Sequence, residues 1–259
     1  MTEEKKHIVM FSSGAGSAIA GKRIVDEFGP AGVTLLFCDT MIEDADNYRF
    51  LDEAAAWLGV PVTRIADGRT PWEVMRDKKI IANNRIDPCS HILKRQLADK
   101  WIQKNAAPDA ITVIGIDWTE QHRFERFAAR HLPRQSRAPL CEPPYLNKKQ
   151  MLEQIRAAGI APPRLYSQGH SHANCGGFCV RAGQAQFALL LRTNRELYLF
   201  HEGKEEEMRE LVGNHSMMSD RRGDGKKKTL TMRDFRKRLE NQPDLFDKHD
   251  IGGCGCAID

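Results

Sequence analysis

Over the first half of the chain, short apolar runs alternate with amphipathic stretches. His7 to Ser12 (HIVMFS), Val33 to Cys38 (VTLLFC), Val60 to Ile65 and Ala110 to Ile116 (AITVIGI) have the length of strands buried on both faces and are too short for buried helices. Between them, residues 18–28 and 45–58 carry apolar positions at helical spacing, the second with Leu51, Ala54, Ala55 and Leu58 on one face. Further helices are predicted over 71–75 and 92–104. Strands that alternate with helices predict an α/β fold, a parallel sheet with helices on both faces. Ligands in such sheets sit beyond the carboxyl ends of the strands. Three segments therefore share one edge: SSGAGS (Ser12 to Ser17) after the first strand, CDT (Cys38 to Thr40) after the second, and GIDWTE (Gly115 to Glu120) after the fourth.

Beyond Pro139 the alternation stops. Pro143, Pro144, Pro162 and Pro163 bracket one helix over 147–158, and residues 182–191 and 195–212 read as two more. Residues 221–228 form a Gly- and Lys-rich loop, and Thr231 with Asp234 starts a last helix as a variant of the capping box. The organisation predicted is one sheet domain over residues 1–182 and a smaller, mainly helical subdomain over 183–259, with no internal repeat. A chain of 259 residues with 41% hydrophobic content is enough to fill such cores. The start, MTEEKKHIVM, is charged rather than apolar, and no run approaches the roughly 20 apolar residues of a membrane span. The expectation is a cytoplasmic protein with no membrane partner, whose thiols stay reduced and available as ligands or nucleophiles.

The net charge is only +4, but residues 221–238 hold nine Lys or Arg against two Asp. Such a patch suits the phosphates of RNA or DNA, or steers anionic nucleotides, although most charge runs are simply solvated. Five of the seven cysteines stand in settings that suit one site: Cys89 in IDPCSHILKR, Cys175 and Cys179 in HANCGGFCVRAG, and Cys254 and Cys256 in GGCGCAID. The glycines around the last four leave the backbone free to wrap an ion or cluster, and soft thiolates select zinc or iron-sulfur clusters. His170 and His172 precede the central pair as H-x-H-x2-C-x3-C, which keeps a mixed zinc site open. Cys38 and Cys141 read as packing residues, as do Trp57, Trp72 and Trp101. The small-residue loop Ser12-Ser13-Gly14-Ala15-Gly16-Ser17 offers backbone N–H groups, hydroxyls and a helix N-terminus to phosphate. It is neither a Walker loop nor a G-x-G-x-x-G turn. Lys94 and Arg95 follow Cys89 on one helix and suit either phosphate or an anionic cluster.

In this order the motifs resemble the PAPS reductase-like branch of the adenine nucleotide alpha-hydrolase, or PP-loop, superfamily. SSGAGS sits where that family has an S-G-G-x-D-S-like pyrophosphate loop, and CDT matches the acidic-Thr pair after its second strand. PCSHILKR resembles its C-x3-L-K segment, and GIDWTEQHR its G-I-R-x-x-E-S-x-x-R. The stretch from RAPLCEPPYL to HANCGGFC follows its late arrangement of Pro-Leu, helix, Pro-Leu-Tyr and cysteine loop. The likeness covers roughly residues 7 to 182 and implies a Rossmann-like fold of the HUP type. It implies an adenine nucleotide, ATP or an adenylyl sulfate, on Ser12, Ser13, Gly14, Gly16, Ser17, Asp39, Thr40 and Gly115, with Mg2+ as an optional companion. It also implies a 4Fe-4S cluster on Cys89, Cys175 and Cys179, zinc being the competing metal. Cys254 is the expected fourth ligand, and Cys256, Glu120 and Arg123 are the expected catalytic residues, with the roles of the two tail cysteines interchangeable. Two departures stand out: Gly16 replaces the acidic residue of the ATP-cleaving loop, and Asp117 replaces the arginine of G-I-R.

The reaction implied is nucleotide-dependent sulfur transfer. ATP adenylates a carbonyl oxygen of the substrate, a nucleobase in RNA or DNA being one option, and sulfide or a persulfide displaces AMP. A sulfur or electron donor is then required, and an oligomer is left open. One alternative is reductive cleavage of an adenylyl sulfate by a tail cysteine. Another, from a different class, is a non-catalytic nucleic-acid binding module stapled by zinc.

Overall fold

The computed structural model describes residues 6–220, 228–250 and 252. The apolar runs become strands β1 (His7–Met10), β2 (Val33–Asp39), β3 (Val62–Ala66) and β4 (Ile111–Val113), and a short β5 (Ser136–Arg137) joins them at one edge. All five are parallel, in the order β3-β2-β1-β4-β5. β1 is central: His7 is in register with Val33 on one side and Ile111 on the other.

Successive residues of a strand point to opposite faces, and both faces are covered here. Val9, Leu35 and Phe37 pack with α1 (Ala15–Phe28) and α2 (Ala45–Leu58) through Ile19, Ile24, Phe50 and Leu51. Ile8, Leu36 and Cys38 pack on the other face against Ala98 and Ile102 of α5 (Leu97–Asn105). Covering on both sides explains why VTLLFC is a continuous apolar run and does not alternate. Asp44 caps α2 by accepting from Asp46 N–H at 2.8 Å, and Gly59 ends it in the left-handed region at φ 66.

A second core lies beside the sheet. Trp72, Val74 and Met75 of α3 (Pro71–Lys78) join Phe178 and Val180 and the helices α9 (Gln184–Thr193), α10 (Arg195–Val212) and α11 (Met232–Asn241). The hairpin of β6 (Met218–Asp220) and β7 (Lys228–Leu230) closes it; the sequence pattern did not predict this hairpin. Buried Glu205 holds two segments together, accepting from Met217 N–H at 3.0 Å and Met232 N–H at 2.6 Å. The last described residues return to the start of α9. Asp250 accepts from the N–H groups of Gln184 at 3.1 Å and Ala185 at 3.0 Å, and Gly252 pairs with Ala182. Among the described residues, no helix is long and apolar enough to cross a membrane.

Candidate functional site

The strand order reverses at β1, with β2 and β3 on one side and β4 and β5 on the other. A cleft opens at this switch point. Ser12, Gly14, Gly16, Ser17, Gly115, Asp117, Glu120 and Arg123 line it, together with Lys94, Lys148, Tyr166, His172 and Asn174. Its empty space, open mouth included, is ≈ 1000 Å³.

The floor of the cleft is a backbone seam. A Cβ placed on Gly16 would lie 2.5 Å from the Gly115 carbonyl oxygen, and one on Gly115 would lie 2.5 Å from Ser17 N. The start of α1 can therefore sit on the end of β4 only if both residues are glycine. Gly16 in place of a loop acid is thus a packing requirement of this chain. Gly14 is the N-cap of α1 and no side chain caps it, so the positive end of the helix lies at the cleft floor. The Ala15 N–H donates to the Tyr166 hydroxyl at 3.1 Å. Ser17 donates to the Gly14 carbonyl at 3.0 Å and accepts from Ser12 N–H at 3.2 Å. Ser13 is buried with φ 55 and its hydroxyl donates to Ser12 O at 2.6 Å, so it shapes the loop from behind. Asp117 accepts from Thr119 N–H at 3.0 Å and caps the short turn Trp118–Glu120, while Glu120 pairs with Arg123 of α6 (Gln121–His131).

Cys89, Cys175 and Cys179, far apart in sequence, line one neighbouring cavity with Thr40, Asp87, Ser90, Lys94 and Arg181. Cys89 and Cys175 are buried and Cys179 is half-buried. Cys89 lies in α4 (Pro88–Ser90), which continues through wide turns over His91–Gln96 into α5. A regular helix was expected here. Lys94, five residues on, would project about 140° from Cys89 in an α-helix; the wider i→i+5 winding brings it back by close to one full turn. The late loop is bent by left-handed residues, Cys175 at φ 52, Gly176 at φ 62 and Gly177 at φ 84. Gly176 also passes so close to the Ile42 carbonyl that a Cβ would be 2.9 Å from it. Behind the loop, the Phe178 ring stacks on His201 at 3.6 Å and on Trp72 at 5.5 Å. Trp72 Nε1 donates to His201 Nδ1 at 2.9 Å, and burial lowers the pKa of His201 to about 3, so the stacked ring is neutral.

Glu43 ties cleft to cavity. Its buried carboxylate accepts from Cys175 N–H at 2.5 Å and the Thr40 hydroxyl at 3.0 Å, and pairs with Lys94 at 3.6 Å. Lys94 Nζ stands 3.9 Å from Cys175 Sγ and lines both spaces. Sequence reasoning missed Glu43, Lys148, Tyr166 and Asn174. Glu43, three residues after CDT, has the spacing of an ordinary turn residue, and only the tertiary fold shows what it holds.

Other expected residues lie elsewhere. Asp39 is buried at the end of β2, where its carboxylate accepts from Tyr48 OH, Arg64 Nε and Met41 N–H, each at 2.8 Å, and so it braces the strand. Thr40 borders the cysteine cavity rather than the cleft. His170 is buried against Gly177, whose Cβ would be 3.0 Å from its ring, and His172 lines the cleft, so neither lines the cysteine cavity. Among the described residues, no three His, Cys, Asp or Glu side chains are arranged around a single metal ion. Burial pushes the Cys38 thiol up to about 12 and the Cys141 thiol to about 11, which fits inert packing residues. In the basic segment, Arg233, Arg236 and Arg238 pair with Glu202 and Glu206, with Glu202 and Glu240, and with Asp220 respectively. Residues 221–227, Cys254 and Cys256 lie outside the described residues.

No protein-family model and no curated protein matches the sequence. Among solved structures, the chain is similar to a phosphoadenylyl-sulfate (PAPS) reductase from Candida auris in a phosphate complex. That match has 12% identity and a TM-score of 0.46, over 63% of this chain and 78% of that one. It is also similar to the NH3-dependent NAD synthetase of Campylobacter jejuni in complex with the nitrate ion, at 12% identity and a TM-score of 0.40, over 81% of this chain and 85% of that one. The sheet itself has the expected parallel, Rossmann-like arrangement.

Proposed function

We propose that the protein is an adenine nucleotide-dependent enzyme of sulfur chemistry, with the nucleotide in the switch-point cleft and an iron-sulfur cluster on the neighbouring thiols. One observation carries this reading: three cysteines singled out by sequence line one cavity, and Lys94 lines both that cavity and the cleft. The donor set fits the group. Three thiols backed by Lys94 and Arg181 suit a soft, anionic cluster and not a hard cation, and both nearby histidines stand outside the cavity. When bound, the cluster supplies sulfur or electrons to the substrate.

In this mechanism the α1 N-terminus and the Gly14 and Gly16 backbone receive phosphate oxygens. Arg123, held by Glu120, and Lys148 offset the phosphate charge from the cleft walls. A substrate carbonyl oxygen attacks the α-phosphorus of ATP, pyrophosphate leaves, and a sulfide-level nucleophile from a sulfur donor displaces AMP to leave a C=S group. The half-buried Lys94 ammonium sits where negative charge passes between the two spaces, and Glu43 fixes its position. Only one residue of chain, Gly253, separates Gly252, paired with Ala182, from Cys254, so the tail remains our choice for a fourth ligand at Cys254 and a nucleophile at Cys256. The Gly16–Gly115 seam favours a second reading, reductive cleavage of an adenylyl sulfate, because the loop has no acid to hold Mg2+ over a pyrophosphate.

Anaerobic purification with iron and acid-labile sulfide analysis, followed by calorimetry with ATP, AMP and adenylyl sulfate, tests the proposal. Iron with sulfide and micromolar nucleotide affinity are expected, and Lys94→Met should weaken nucleotide binding while leaving the sheet folded. Protein that holds neither iron nor nucleotide would refute it.

A further inference from the structure

Two large aromatic side chains stand open to solvent beside the cleft. Trp118 is 45% exposed and Tyr145 is 55% exposed, and their rings lie 5.8 Å apart at 51°. Chain neighbours of both line the cleft: Asp117 and Glu120 flank Trp118, and Lys148 follows Tyr145 at the start of α7 (Lys148–Ala157). The pair therefore sits on the rim. Neither ring belongs to a core cluster. Two touching, exposed rings form a stacking surface for a planar ring.

The helix that starts at this rim is basic. α6 carries three arginines, Arg123, Arg126 and Arg130, against one glutamate, Glu125. At about 100° per residue the three arginines fall within about 60° of one another, and buried Phe127 and half-buried Phe124 follow on the adjoining face. Arg123 lines the cleft, and Arg126 and Arg130 continue outward in exposed positions. The stripe spans about 10 Å of helix axis. That is a track for the phosphates of a single strand leading to the rim, next to rings that hold an unstacked base.

We infer that the Trp118–Tyr145 rim and the arginine flank of α6 form a docking surface for single-stranded nucleic acid and present an unpaired nucleobase at the mouth of the cleft. This deepens the proposed function, on which it rests, by naming the sulfur acceptor as a base in a single strand. The docking surface is then α6.

The test uses the full-length protein and fluorescence anisotropy with labelled ten-nucleotide single-stranded RNA, the same sequence as DNA, and a duplex of that sequence. Trp118→Ala is expected to weaken single-strand binding roughly tenfold, as loss of one stacked base does. The pair Arg126→Ala and Arg130→Ala should lower the slope of log affinity against log salt by about 0.7 for each phosphate no longer neutralised. Both variants should keep wild-type affinity for ATP in calorimetry. Because Trp118, Arg126 and Arg130 are exposed, the substitutions leave the fold intact. RNA and DNA arms that differ identify the sugar preferred; binding of either supports the inference. Three results overturn it: no single-strand binding at low salt by protein that binds ATP, duplex binding as tight as single-strand binding and insensitive to Trp118→Ala, or a Trp118→Ala loss confined to ATP. Failure of ATP binding itself would count against the proposed function, while single-strand affinity that still depends on Trp118 would keep the surface.

Discussion

Restoring a side chain at position 16 is the sharpest probe of how this cleft is built. Gly16→Ala adds one carbon, and that carbon would sit 2.5 Å from the Gly115 carbonyl oxygen, a backbone atom that cannot rotate away. Two effects oppose the clash. Alanine in a helix gains about 1 kcal/mol over glycine, and an aspartate in the first turn adds roughly 0.3–1 kcal/mol through the helix dipole. Overpacking of a tight contact costs about 1–3 kcal/mol and more when backbone must move. A rigid backbone neighbour puts this case at the upper end, so the clash wins. Gly16→Ala should lower stability by about 1–2 kcal/mol net, a fall in Tm of roughly 2–4 °C for a chain of this size. Gly16→Asp should fall at least as far and fail to gain Mg2+-dependent ATP cleavage. Gly203→Ala is the matched control: nothing lies within 4 Å of its Cβ in α10, so it should stabilise by about 0.5–1 kcal/mol. Thermal and urea unfolding read all three. A Gly16→Ala protein as stable as wild type would show that the seam yields, and the steric account of the missing loop acid would be wrong.

Cys89→Ser and Cys175→Ala should each abolish iron retention in anaerobically purified protein, while Cys38→Ala, whose thiol is raised to about 12 by burial, should retain it; equal iron in all three would remove the cavity from the metal chemistry. Stability should also fall with rising pH through the titration of Glu205, which burial raises to about 7. A carboxyl whose folded pKa lies above its unfolded value stabilises most below the unfolded value and loses that contribution as pH passes the folded one, here roughly 3 kcal/mol in all. Tm measured from pH 5 to 8 should therefore decline, and Glu205→Gln should flatten the decline even though it costs a backbone hydrogen bond.

How much of this was legible in the sequence follows from where the information resides. Continuous runs such as VTLLFC announce a strand buried on both faces because the pattern is local. Helix ends were legible where a local cap writes them, as at α2 and at Thr231 of α11, which accepts from Asp234 N–H at 3.0 Å. α1 begins earlier than its apolar spacing suggests, since Ala15 to Ser17 are held by close approach to β4 rather than by apolar side chains. Cys89, Cys175 and Cys179 were singled out by residue type, spacing and motif resemblance, and the fold brings them to one cavity. Lys148, Tyr166 and Glu43 were not legible, because a lysine at a helix start, a tyrosine after prolines and a glutamate before a helix each have common local uses. Asp39 shows the converse: its place at a strand end suggested a ligand, but Arg64, from the neighbouring strand, occupies the carboxylate.

The ring stack behind the cysteine loop has a consequence for the order in which the protein matures. Phe178 is held from two directions in the chain, by Trp72, made early, and by His201, made late. A chain emerging from its amino end can complete β1 to β4 and the cleft between them before residue 201 exists. During that interval Phe178 lacks one of its two stacking partners, and the loop bearing Cys175 and Cys179 lacks its backing. Under the proposed function, nucleotide capture would thus precede metal loading in biogenesis, and a nascent chain stalled short of α10 would carry the first capacity without the second.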